Sequence, residues 1–138
     1  MAIGFYLLMV FSVFSSMIEA LFFPNNLYAY QTQMKQRFEA NLWLLIVPLV
    51  VAPVFEEWLF RGVILTRLTK KCSFEMSNAV TAFLFAMAHL NWFLLPYFLN
   101  GLIYGWVYKK SGKLFSVMMM HSMYNLMAIL VAMTGIAK

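Results

Sequence analysis

The sequence predicts an all-α membrane protein, a polytopic bundle of about five transmembrane segments forming one domain over residues 1–138. Three observations predict it. Of the 138 residues 64% are hydrophobic and 11% charged, with a mean hydropathy of +0.79, whereas a soluble domain is nearer half apolar and a quarter charged. That composition leaves too little polar surface to coat a soluble globule. The apolar residues fall in runs, several near the ~20 residues that cross ~30 Å of hydrocarbon. No linker, low-complexity tract or internal repeat divides the chain.

The first run, Ile3 to Phe23, lacks a basic stretch before it and is longer than the apolar part of a signal peptide, so it reads as an uncleaved helix. Residues Gln31 to Asn41 are polar, with Lys35, Arg37 and Glu39, and read as an interfacial amphipathic turn. The second run, Leu42 to Leu65, is interrupted by Pro48, Pro53 and a Glu56-Glu57…Arg61 cluster. The third covers Asn78 to about Asn91, the fourth Tyr97 to Tyr108, and the fifth Leu114 to Gly135. The third and fourth are short, so they form either two tightly joined spans or a re-entrant hairpin.

Charge favours two spans. Arg67, Lys70 and Lys71 follow the second run, and Lys109, Lys110 and Lys113 follow the fourth. With five crossings both basic loops lie on one side, which the positive-inside rule makes cytoplasmic; with four they would lie on opposite sides. The N-terminus is then expected in the cytoplasm and the C-terminus outside, in a bacterial or archaeal cell membrane. The net charge of +5 reports topology, and nucleic acid is not expected as a partner. The single cysteine, Cys72, excludes an internal disulfide and a thiolate metal site, and lipidation of it in a basic loop is not favoured.

Polar groups inside the runs are few, and they align. Glu56 and Glu57 are two of only five acidic residues, and a carboxylate at bilayer depth costs about 2.5 kcal/mol or more. Glu57 and Arg61, Phe85 and His89, and His121 and Asn125 are each four apart and share a helix face. At ~1.5 Å of rise per residue, Glu56 lies roughly 16 Å from Arg67, and His89 the same depth from Asn78. His121 and Asn125 lie about 10 and 16 Å from Leu114. Three helices thus set their polar groups in one layer, whereas Glu19 lies near the end of the first span and can reach the interface.

That set suits hydrolysis. A glutamate can act as general base on water and a histidine can orient the water or share its proton; a second histidine with an amide can stabilise an oxyanion. Neighbours on a helix diverge by about 100°, so one glutamate is expected to face the water and the other to pair with Arg61. The three pairs, in this order, resemble the motifs of the CPBP family, the CAAX-protease and bacteriocin-processing intramembrane endopeptidases, over residues 56–125. The resemblance implies that Glu56 is the base and His89 its partner on the water. It implies His121 and Asn125 as oxyanion stabilisers, with Glu57 and Arg61 in support. The implied function is hydrolysis of a peptide bond in a membrane-associated protein or peptide. CAAX endopeptidases carry several more helices, so a prenylated substrate does not carry over.

Rival readings attach to the same residues. Glu56, His89 and His121 could supply a zinc site with water as fourth ligand, but the His-Glu-x-x-His signature of zinc proteases is missing, and a cofactor-free mechanism is preferred. A bacteriocin-immunity or partner-binding protein would keep the constellation without turnover, and a small proton-linked transporter would use it as a relay. Phe85 and the Met118-Met119-Met120 run read as packing, and Tyr97, Tyr104, Trp106 and Tyr108 as interfacial anchors and packing. Gly101 and Gly105 form a small-xxx-small pair that lets another helix approach closely, in this chain or in a homo-oligomer.

Overall fold

Five helices carry most of the regular structure among the described residues, which are 2–23, 32–33, 35–36, 39 and 41–134 of a computed structural model. They are α1 (Ala2–Phe22), α2 (Leu42–Leu68), α3 (Phe74–Ala88), α4 (Leu95–Ser111) and α5 (Leu114–Thr134). The expected all-α bundle is what forms, with no strand among the described residues. α1, α2 and α5 are long and apolar enough to cross a membrane. Much of their apolar surface, such as Ile3, Val13, Leu21, Val54, Phe115 and Leu130, faces outward, as lipid rather than water would favour. α3 and α4 rise roughly 22 and 25 Å, short of the hydrocarbon thickness. Of the interfacial turn expected over 31–41, the described residues 32–33, 35–36 and 39 are helical, with Lys35 Nζ 3.9 Å from Glu39, while Gly135 at the end of the fifth run falls outside the described residues.

The prolines shape α2. Asn41 caps its start by accepting the Trp43 N–H at 3.0 Å. Val47–Val51 then takes the wider π-helical turn, where Ala52 N–H reaches back five residues to the Val47 carbonyl. In that register the donor for the Pro48 carbonyl would be residue 53, and Pro53 has no N–H. A carbonyl is therefore left without a backbone partner in the middle of the helix. A second π stretch, Trp58–Leu65, carries Arg61; such stretches mark functional sites more often than chance.

α3 and α4 form a close antiparallel hairpin. Ser73 caps α3 by accepting the Met76 N–H at 3.3 Å. A Cβ on Gly101 would fall 2.9 Å from Ala82 Cα, and one on Gly105 would run into the Asn78 side chain. Asn78 Nδ2 donates to the Leu102 carbonyl at 2.9 Å. Both glycines are thus spent on the hairpin inside the chain, so a homo-oligomer would have to use another face. At the basic end, Lys109 lies 3.7 Å from Glu75. The Glu75 carboxyl is held below the usual carboxylate range, first by its own backbone N–H at the helix start and then by Lys109. Gly112, at φ 64°, closes α4 and turns the chain into α5. Leu8, Phe60, Phe85, Ile103, Tyr104, Val107, Val117 and Met120 form the core, directly against the polar cluster described next.

Candidate active site

The two adjacent glutamates are in opposite states. Glu57 is wholly buried, and its Oε1 accepts from Arg61 Nη1 at 3.1 Å and from His121 Nδ1 at 2.9 Å. Glu56 points elsewhere, as the divergence of neighbours on a helix requires. Its side chain keeps 30% exposure and makes no hydrogen bond among the described residues, and its Oε2 lies 3.8 Å from His121 Nε2. One carboxylate is committed and the other is free.

Arg61 shows how a cation survives at this depth. It is 0% exposed, a burial that an unpaired charge would not tolerate. Its Nη2 donates to the Gly101 carbonyl at 2.8 Å, and Nη1 holds Glu57. Three rings enclose the guanidinium, with Phe85, Tyr104 and Phe60 centroids 4.7, 5.2 and 6.0 Å from its central carbon. A planar, weakly hydrated cation is suited to such a cage. Arg61 therefore ties α2 to α4.

His121 joins α5 to the pair. A carboxylate that already accepts from Arg61 can only accept from the imidazole, so Nδ1 carries hydrogen and Nε2 faces Glu56. Asn125, one turn on, donates Nδ2 to the Pro48 carbonyl at 2.8 Å. That is the carbonyl orphaned by Pro53, so the amide repairs the gap in α2 while fastening α5 to it. One amide hydrogen of Asn125 is left for other work. His89 sits one residue past α3, where its Nδ1 donates to the Phe85 carbonyl at 2.8 Å; its Nε2 then carries a lone pair able to accept from water. Leu90 follows in the left-handed region at φ 50°.

The sequence-chosen residues divide accordingly. Glu56, Glu57, Arg61 and His121 come together directly. Asn125 joins them through α2. His89 comes no closer than through Phe85, whose ring centroid lies 4.6 Å from that of His89 and 5.9 Å from that of His121. Among the described residues no three His, Cys, Asp or Glu side chains converge as metal ligands, so Glu56, His89 and His121 do not form that set. Sequence reasoning assigned Phe85 and Tyr104 to packing; both line the Arg61 cage. No signal in the sequence pairs them with Arg61, because they lie on other helices and meet it only through packing.

The fold and this cluster define a small helical membrane protein with a buried acid–imidazole–guanidinium site. Residues 38–127, about two thirds of the chain, match the type II CAAX prenyl endopeptidase Rce1-like family, and the chain belongs to that family. It is also similar to the UPF0177 protein YxdF of Lactococcus lactis subsp. lactis (strain IL1403), 34% identical over 79 residues. That match covers 56% of this chain and 43% of the relative, so the chain spans less than half of the relative's length. No solved structure matches it significantly.

Proposed function

We propose that the chain is an intramembrane endopeptidase that hydrolyses a peptide bond of a membrane-associated protein or peptide. The observation that carries the reading is the asymmetry of Glu56 and Glu57. A structural ion-pair cluster would engage both carboxylates alike; here Glu57 Oε1 accepts two hydrogen bonds, whereas Glu56 accepts none among the described residues, keeps 30% exposure and has only His121 Nε2 beside it, at 3.8 Å. Family membership supports the same chemistry.

In this reading Glu56 takes a proton from a water, and the oxygen attacks the scissile carbonyl carbon. His89 Nε2 accepts the water's second hydrogen and orients it. The carbonyl oxygen becomes an oxyanion, for which His121, whose Nε2 faces Glu56, and the remaining Asn125 amide hydrogen are the stabilisers. Collapse breaks the C–N bond, and the proton on Glu56 passes to the leaving amine. Preorganised donors in a low-dielectric site are worth a few kcal/mol each in such a step. Glu57 and Arg61 hold His121 without touching substrate. The reading routes no step through a metal.

The basic ends of α2 and α4 are proposed to face the cytoplasm, with the N-terminus on that side and α3 and α4 completing five crossings. The test is cleavage by the purified chain in lipid nanodiscs of membrane-anchored peptides, read by mass spectrometry. Glu56→Gln is expected to slow cleavage about 10²- to 10⁴-fold with helix content and thermal midpoint unchanged. Cleavage within about tenfold of the wild-type rate in that variant would sink the assignment of Glu56; stoichiometric zinc that tracks activity would sink the metal-free step.

A further inference from the structure

α4 carries none of the motif residues, yet it touches both histidines. Tyr97 stacks on His89 with centroids 4.1 Å apart and planes 30° apart. Tyr104 stacks on His121 at 4.8 Å and 23°. The two tyrosines are seven residues apart, two turns of helix, and so lie on one face. Each histidine therefore receives the same pair of restraints. One is a hydrogen bond at Nδ1, to the Phe85 carbonyl for His89 and to Glu57 for His121. The other is a tyrosine ring against its face.

The pair of restraints has a geometric logic. A hydrogen bond at Nδ1 pins one atom of an imidazole but lets the ring swing about that bond, moving Nε2, the atom on the reacting side. A stacked ring fixes the plane and removes the swing. We propose that Tyr97 and Tyr104 are positioning residues that set the Nε2 direction of His89 and His121, so that α4 aligns the two halves of the site from one rigid face. α4 is fit for this. Gly101 seats it against the Ala82 backbone of α3 and Gly105 against the Asn78 side chain, and its Gly101 carbonyl holds Arg61. Each tyrosine is held in turn. Asn91 Nδ2 reaches the Tyr97 hydroxyl at 3.4 Å. Tyr104, fully buried, is boxed by Arg61 and by the Phe85 edge at 6.1 Å and 89°.

The catalytic consequence rests on the endopeptidase reading; the alignment itself does not, and the two are tested separately. The chain has two histidines, so histidine-selective labelling gives one set of imidazole signals for each. In wild type both ring-proton sets are expected upfield, shielded by the stacked tyrosines. Tyr97→Leu is expected to release the His89 shift alone and Tyr104→Leu the His121 shift alone, while both Phe variants keep them. Signals that ignore these exchanges overturn the proposal whether or not any peptide is cleaved.

In the cleavage assay Tyr→Leu is expected to lower kcat about 10- to 100-fold, the size of a sub-ångström to 1 Å misplacement, with KM within about twofold. Tyr→Phe is expected to restore kcat to within about threefold of wild type. A Phe variant as impaired as its Leu counterpart would mean that the hydroxyl acts rather than the ring, and overturns the proposal. So does a Leu variant with normal kcat. Should Tyr104→Leu fail to fold, the partly exposed Tyr97 series decides by the same criteria, with Tyr104→Phe as the buried arm.

Discussion

The site has a closed half and an open half. In the closed half Glu57, Arg61, His121 and Tyr104 are buried and each is held from at least two directions, by helices α2, α4 and α5. In the open half His89 lies past the last turn of α3 and is followed by a left-handed Leu90. Next to it Leu90 and Trp92 are 92% and 100% exposed. Charge accounts for the difference. A guanidinium and a carboxylate at this depth must be enclosed together or not at all, whereas an imidazole can sit half-buried at a helix end, held by the Phe85 carbonyl and the Tyr97 ring. The closed half thus holds the geometry, and in the proposed reading water and substrate would enter from the open half.

The largest effects expected fall on the two glutamates, in opposite observables. Glu56→Gln should cost about 10²- to 10⁴-fold in cleavage rate, the range for a general base, and leave the thermal midpoint in detergent unmoved. Glu57→Leu should destabilise the fold by about 3–5 kcal/mol by leaving Arg61 buried and unpaired. Adding Arg61→Met to Glu57→Leu should recover at least about 1 kcal/mol of that loss, because the stranded charge is gone and contacting residues couple on this scale. If Glu56→Gln proves the more destabilising of the two, the division into committed and free carboxylates is wrong.

That division was legible in the sequence only as a constraint. Adjacency on a helix forces the two glutamates apart, and Arg61 at the fourth position names the partner of Glu57. Hydropathy likewise marked α1, α2 and α5, which are long and apolar enough to cross a membrane, since in a bilayer composition and span length are nearly the same signal. Other features were not legible. The sequence does not say that His121 bridges both glutamates, because that depends on how α5 is rotated against α2. It does not say that Gly101 and Gly105 meet α3, since a small-residue pair looks the same whether its neighbour is in the same chain or another. Tyr97 and Tyr104 were hidden because aromatic residues near the ends of an apolar run have a commoner explanation as interfacial anchors. Counting depth along each helix put His89 level with Glu56, yet it could not reveal that α3 stops at that residue.

A mid-sized effect probes how the closed half is fastened. Asn125→Ala removes the donor to the Pro48 carbonyl, a loss of about 0.6–1.7 kcal/mol by the standard of hydrogen bonds between membrane helices. Pro53→Ala restores a backbone N–H at the position that the π register aims at that carbonyl. In the Asn125→Ala background it should therefore recover part of the lost thermal stability, and in wild type it should not add the same amount. Equal effects in the two backgrounds would show that the orphaned carbonyl is not what Asn125 serves.

The smallest effect belongs to the open half. Leu90 adopts φ 50° at the residue where helices commonly end in glycine, and an L side chain there carries strain of about 1–2 kcal/mol. Its side chain is almost wholly exposed, so little core packing is lost on truncation. Leu90→Gly should relieve the strain but add unfolded-state entropy that offsets part of the gain, for a net stabilisation of about 0.5 kcal/mol. Leu90→Ile, β-branched at a positive φ, should instead destabilise by about 1 kcal/mol or more. The ordering Gly above Leu above Ile in thermal midpoint is what the backbone geometry requires. A Leu90→Gly variant that loses stability would reveal that the exposed side chain, with Trp92, anchors the α3–α4 turn in lipid, and the open half would then be held from the bilayer side rather than left loose.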